Sequence, residues 1–189
     1  NGPQYMLPRR ISNIQAACTL LGTKGLRALL ASYGAQKALE DRYGRMDELW
    51  QHAYLCACYA RHLAGFLGHG ELAEDAHVGG LLHDLGKLVL LEAHPDVTRG
   101  IIEYAAAQGI GGNPLERLAL GVGHTRIGAL MAKRWNFPDS IMAAIENHHR
   151  PLMAPEEQRV LCDLVYLANQ YCHSQTGVFE FFTLDMPVL

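Results

Sequence analysis

The sequence predicts an all-α fold, a compact helical bundle. Apolar residues recur at three- and four-residue spacing nearly throughout, with no strand-like alternation longer than a few residues. Start and stop signals punctuate that pattern at helical intervals. The 189 residues, 49% hydrophobic and 19% charged, are enough for one good-sized core. No repeat, low-complexity tract or clear linker divides the chain, so residues 1–189 read as a single domain.

A short helix fits Ser12 to Leu21 and ends at Gly22, and Thr23 caps a second one reaching Leu39. Asp47 can cap a third, whose apolar stripe is Leu49, Ala53, Cys56, Ala60, Leu63 and Leu67, with Gly68 and Gly70 ending it. A fourth helix places Val78, Leu81, Leu82 and Leu85 on one face, and Gly79-Gly80 lets a neighbouring helix come close. His94 to Gly109 reads as a further helix. Asn113-Pro114-Leu115-Glu116 is a start signal with a cap, a proline at the first position and a capping-box glutamate. The next helix runs from about Thr125 to Trp135 and breaks at Asn136-Phe137-Pro138. Asp139 caps another, which Pro151 stops. Pro155-Glu156-Glu157 opens the last long helix, striped by Leu161, Leu164, Val165, Ala168 and Cys172. The tail from Gly177 is aromatic and irregular.

A net charge of −3 and a pI near 6.4 argue against a nucleic-acid or anionic-membrane partner, which would require a basic face. Arg9-Arg10 is too small to supply one. No apolar run approaches membrane-spanning length and no secretory leader is visible. The 5 cysteines are odd in number, lack a Cys-x-x-Cys and lie in apolar helical stretches, so they read as reduced core residues of a cytoplasmic protein.

The polar residues inside the apolar pattern carry the chemistry. His83 and Asp84 sit side by side within Leu81-Leu82-His83-Asp84-Leu85-Gly86-Lys87. A histidine and a carboxylate there can share one divalent cation, and the second carboxylate oxygen can bridge to another. His52 lies on the stripe between Leu49 and Cys56. His124 leads Ile127 by three residues, His148 follows Ala144 by four, and Asn169 follows Val165 by four. Each faces inward on its helix. Any one alone would be an ordinary core residue bonded to a carbonyl. Together with the dyad, and with His149 beside His148, they point to a metal site in the core of a bundle. His62, His69, His77, His94 and His173 read as surface or structural. Lys87, one turn past His83, is either a solvated lysine or an anion-binding group beside the site.

These residues resemble the HD superfamily of metal-dependent phosphohydrolases, and more closely the HDOD domain. The likeness rests on Gly79-Gly80-Leu81-Leu82-His83-Asp84-Leu85-Gly86-Lys87-Leu88, Gly121-Val122-Gly123-His124-Thr125-Arg126-Ile127-Gly128-Ala129, Trp135-Asn136-Phe137-Pro138 and His148-His149-Arg150-Pro151. It runs from about Asn1 to about Cys172. It implies a bundle of the HD-domain type that lacks several N-terminal helices of the usual domain. It implies His52, His83, Asp84, His124, His148 and His149 as ligands of a divalent metal (Fe, Mn, Zn or Mg). Asn169 stands where the HD pattern ends in an aspartate, and offers only a neutral carbonyl oxygen. The Gly-Tyr-Pro loop of the cyclic-dinucleotide hydrolases does not follow His148-His149-Arg150-Pro151.

The resemblance implies a bacterial signal-transduction output module, with protein partners or attached regulatory domains and a retained or partly degenerate metal site. The alternative is a metal-dependent phosphohydrolase taking a phosphate-containing ligand, in which Asp84 and Lys87 would be catalytic. Oxygen chemistry at a di-iron site, as in some HD relatives, is a third reading.

Overall fold

The computed structural model describes residues 47–175. The expected helices at Ser12–Leu21 and Thr23–Leu39, Cys18 and the aromatic tail lie outside them. Eight α-helices form among the described residues: α1 (Asp47–Phe66), α2 (Ala73–Leu82), α3 (Leu85–Ala93), α4 (Pro95–Gln108), α5 (Gly112–Leu120), α6 (His124–Arg134), α7 (Asp139–Asn147) and α8 (Arg159–Gln175). Single 3-10 turns at Gly70–Leu72, Pro151–Met153 and Glu156–Gln158 join them. No described residue is in a strand. No described helix is long and apolar enough to cross a membrane.

The expected stripes form the core, except that Leu67 lies beyond the end of α1 and is exposed. Cys56 and Ala60 of α1, Val78 and Leu82 of α2, Ile141, Ala144 and Ile145 of α7, and Leu161, Leu164, Val165, Ala168 and Cys172 of α8 are buried in one cluster. The two glycines of α2 work as the sequence suggested. A side chain on Gly80 would meet the Cα of Ala57 at 2.8 Å, and one on Gly79 would meet Val165 at 3.1 Å. The α1–α2 contact is therefore close to backbone against backbone.

Three sequence expectations are corrected. The fourth helix is two: α2 ends at Leu82 and α3 starts at Leu85, so His83 and Asp84 occupy the bend as C-cap and N-cap. Continuous apolar periodicity hides such a bend, because Leu82 and Leu85 are buried on both sides of it. Second, α5 is capped by Gly111, and Glu116 makes no capping box; its carboxylate is engaged by His124 instead. Third, Pro138 rather than Asp139 is the N-cap of α7, with no side-chain cap bond.

The α3–α6 contact fixes the two halves of the candidate site. Gly86 lies against the His124 carbonyl, and a side chain on it would meet the backbone N of Gly128 at 2.8 Å. Only glycine lets α3 approach α6 this closely, two residues after Asp84 and directly beside His124.

Candidate metal centre

Asp84 is the hub. It is 6% exposed, and its two oxygens face different sets of histidines. Oδ2 lies 3.3 Å from His83 Nε2 and 3.8 Å from His52 Nε2, and accepts a hydrogen bond from Lys87 Nζ at 2.8 Å. Oδ1 lies 3.3 Å from His124 Nε2 and 3.7 Å from His148 Nε2. His149 Nε2 is 3.2 Å from His124 Nε2. Asn169 Oδ1 is 2.9 Å from His52 Nε2. Every residue singled out in the sequence thus reaches one locus. It is assembled from α1, the α2–α3 bend, the start of α6, the end of α7 and α8.

Proton placement makes this locus electron-rich. His83 Nδ1 donates to the Gly80 carbonyl at 2.7 Å, and His148 Nδ1 donates to the Ile145 carbonyl at 2.8 Å. A carbonyl only accepts, so each neutral ring carries its proton on Nδ1 and turns a bare Nε2 lone pair inward. His124 Nδ1 donates to the Glu116 carboxylate at 2.7 Å, with the same result. His124 Nε2 and His148 Nε2 then face each other at 3.4 Å without a proton between them. His83 Nε2 and Asp84 Oδ1 are buried and have no hydrogen-bond partner. Buried acceptors turned toward one another are unfavourable unless a cation lies among them.

The spacings fit that cation. Ligand atoms ~2.0–2.2 Å from one ion lie roughly 3–3.5 Å from their neighbours. Two triads meet this pattern, His52–His83–Asp84 and His124–His148–His149, with all ligand atoms of each inside 4.8 Å. Asp84 joins them by offering one oxygen to each side. The residues present fit one or two divalent ions. The nitrogen-rich donor set favours Fe, Mn or Zn over Mg, which prefers oxygen.

The electrostatics follow from burial. The His52 imidazole is pushed down from 6.5 to about 3, first by burial and then by His83. Burial also holds His148 and His149 well below 6.5, reinforced by neighbouring rings. Burial opposes the charge on Asp84, but His83 and Lys87 outweigh it and hold that carboxyl well below its ordinary range. Asp84 is thus held ionised while His52, His148 and His149 are held neutral, the protonation states that metal ligation requires of these groups.

Two neighbours of the centre were not read from the sequence. Glu116, 1% exposed, accepts both the backbone N–H and the Nδ1–H of His124. Its capping-box spacing gave it a complete local explanation, which concealed this long-range one. A carboxylate behind a ligating imidazole fixes the ring and raises its basicity. Glu116→Gln should accordingly weaken divalent-metal binding by about 10- to 100-fold while the helical circular-dichroism signal persists; a metal titration with unchanged affinity would remove Glu116 from the centre. The second neighbour is His173, read above as surface or structural. It lies one turn after Asn169, half-buried, with its ring centroid 4.8 Å from that of His52. The inward face of α8 that carries Asn169 was the available signal.

Comparison with known proteins agrees with this architecture. The HDOD domain profile matches residues 1–151. The chain belongs to the HDOD family. It is 34% identical over 169 residues to an uncharacterized protein of Treponema pallidum (strain Nichols), covering 89% of this chain and 33% of that one. Among solved structures, an HDOD domain protein with unknown function from Geobacter sulfurreducens is similar at a TM-score of 0.74 and 26% identity, covering 95% of this chain and 61% of that one. A "Putative phosphohydrolase" from Shewanella amazonensis SB2B is similar at 0.71 and 28%, covering 89% and 61%. A "Putative signal transduction protein" from Marinobacter aquaeolei VT8 is similar at 0.73 and 25%, covering 94% and 40%. The chain spans about a third of the Treponema relative and less than two thirds of each of these structures.

Proposed function

We propose that this HDOD chain is a signal-transduction module built around a divalent-metal centre, with Asp84 joining two histidine clusters. The observation that carries the metal is the set of inward Nε2 atoms of His83, His124 and His148 around Asp84, each ring having its Nδ1 committed to a carbonyl or carboxylate on the outer side. The module reading draws on two supports. Asn169 replaces an anionic ligand with a neutral one, which lowers the centre's hold on a cation. The relatives in which the same fold is a fraction of a longer chain include one named for signal transduction. Protein partners or attached regulatory domains then read the state of the centre. Its cation is Fe, Mn or Zn, and the protein works in the cytoplasm.

A hydrolase is the second reading, and one observation favours it: His149 also lines an open cavity, so a ligand can reach the edge of the centre. A bound metal would supply a Lewis acid and a water of lowered pKa. Asp84 would hold the neighbouring groups in place. Lys87, 2.8 Å from Asp84 Oδ2, would counter negative charge on that side.

Loading purified protein with Mn, Fe or Zn tests both. The module reading expects bound metal, and no hydrolysis of p-nitrophenyl phosphate or bis-p-nitrophenyl phosphate above a His83→Ala, Asp84→Ala control. Turnover that vanishes in that control would put the hydrolase first. Asn169→Asp should raise metal affinity and the metal-dependent gain in melting temperature, because binding to the native state stabilises it by mass action. Unchanged occupancy would mean that residue 169 does not touch the ion.

A further inference from the structure

A cavity of about 740 Å³ opens beside the centre, between the α5–α6 connection and the end of α7. His149 forms part of its wall. So do Arg117, Arg126 and Arg150. The whole chain has 16 Lys and Arg against 19 Asp and Glu, so three guanidiniums around one cavity depart from the average surface. Glu146 is the one carboxylate among the lining residues, and Arg126 Nη1 donates to it at 2.7 Å. Arg117 and Arg150 remain in excess of that pair. Guanidinium forks match phosphate oxygens two at a time, and a site of this volume admits a small metabolite rather than a bare ion.

The rest of the lining narrows the ligand. Asn113 and Asn147 also line it; Asn113 Oδ1 is buried without a hydrogen-bond partner, while Asn147 Nδ2 donates to the Ala143 carbonyl at 2.9 Å. No Phe, Tyr or Trp lines the cavity among the described residues. A nucleobase normally stacks on such a ring, whereas hydroxyl groups suit amides.

We infer that this cavity binds a small, hydroxyl-rich phosphate ester, its phosphate held by Arg117 and Arg150 on the side where His149 borders the metal centre. The inference deepens the metal-module reading by naming what the centre senses or acts on, and rests on it only through the His149 wall.

Calorimetric titration of the full chain with ribose 5-phosphate, AMP and citrate, with metal content measured on the same samples, tests it. Ribose 5-phosphate should bind saturably, AMP within about threefold of it because no ring is there to stack the base, and citrate at least ~10-fold more weakly because the three terminal oxygens of one phosphate can engage both guanidinium forks where a single carboxylate offers two. Arg117→Ala with Arg150→Ala should weaken ribose 5-phosphate at least ~10-fold and leave metal content unchanged. Arg99→Ala, an exposed charge on α4, should change nothing. Arg117 and Arg150 are exposed, so the double variant should fold. Arg117→Lys with Arg150→Lys, which keeps charge but loses the planar fork, should fall between. No saturable binding, equal loss in Arg99→Ala, citrate matching ribose 5-phosphate, or AMP binding more than about 10-fold tighter would each overturn the inference. Metal in the centre without phosphate-ester binding would sink this inference alone. Arginine-dependent binding in protein that takes up no metal would sink the metal reading alone.

Discussion

Asp84→Ala should leave the protein unable to retain divalent metal under conditions that load the wild type. Both oxygens of this carboxylate are shared, Oδ2 with His52, His83 and Lys87, Oδ1 with His124 and His148. No other carboxylate in the two triads can take its place. Its loss removes the only anion in the cluster and separates the two halves, so affinity should fall at least ~100-fold, beyond the effect of losing an outer-shell partner. The metal-free protein should suffer as well. Lys87, only 17% exposed in its side chain, loses the carboxylate at 2.8 Å, and removing one partner of a largely buried pair destabilises by roughly 2–4 kcal/mol. Two measurements separate these effects. Melting in EDTA reads the lost ion pair. Melting in added Mn, at about 100 times the wild-type Kd, reads the lost site, where the wild type gains about 2.7 kcal/mol and the variant none. A variant that still showed the full metal-dependent shift would take Asp84 out of the centre.

The residues at the hub were legible from sequence because their chemistry contradicts their surroundings. Histidine and aspartate between leucines need a partner, and helical phase turned His52, His124, His148 and Asn169 toward the same interior. The stripes of α1 and α8 were legible for the related reason that a single period of 3.6 governs each. The bend between α2 and α3 was not, since its flanking leucines are buried and keep the helical pattern through it. Yet the bend is what projects His83 and Asp84 together into the site. Glu116 and His173 escaped for opposite reasons. Glu116 had a satisfying local role at its helix start, and its real partner lies eight residues away across a turn. His173 sits near the end of α8, where a half-buried position and an exposed one read alike. The arginine cavity could not be read at all, because Arg117, Arg126 and Arg150 belong to three segments that only packing brings to one opening.

Acid should unfold the metal-free protein well before it reaches the carboxylate range. Burial, the largest cause in each case, drives His52 to about 3 and His173 to about 4, and holds His148 and His149 well below 6.5. In the unfolded chain all four titrate near 6.5. Below that pH the unfolded state binds more protons than the folded one, so stability falls as pH falls. The loss begins near pH 6.5 and continues until each folded-state value is reached. The shift at Asp84 has the opposite consequence but a different window. Its carboxyl is lowered from 3.8, so its contribution is complete above that value and is lost only in stronger acid. The interval from pH 7.5 to 5.5 therefore isolates the histidines. Each fully excluded imidazole is worth about 1.4 kcal/mol over that interval, and these four with His77, which burial also lowers, discounted by half for neighbouring solvent, give about 3 kcal/mol. Urea denaturation in EDTA at pH 7.5, 6.5 and 5.5 should show this decline, and a flat profile would contradict the neutral imidazole cluster. His173→Gln should flatten the slope by about a fifth, since one of five imidazoles lowered by burial, His77 among them, is gone. If His173 only stacks on His52, the same variant should keep its metal; loss of metal together with the change in slope would make His173 a ligand, in the same inward row of α8 as the neutral Asn169.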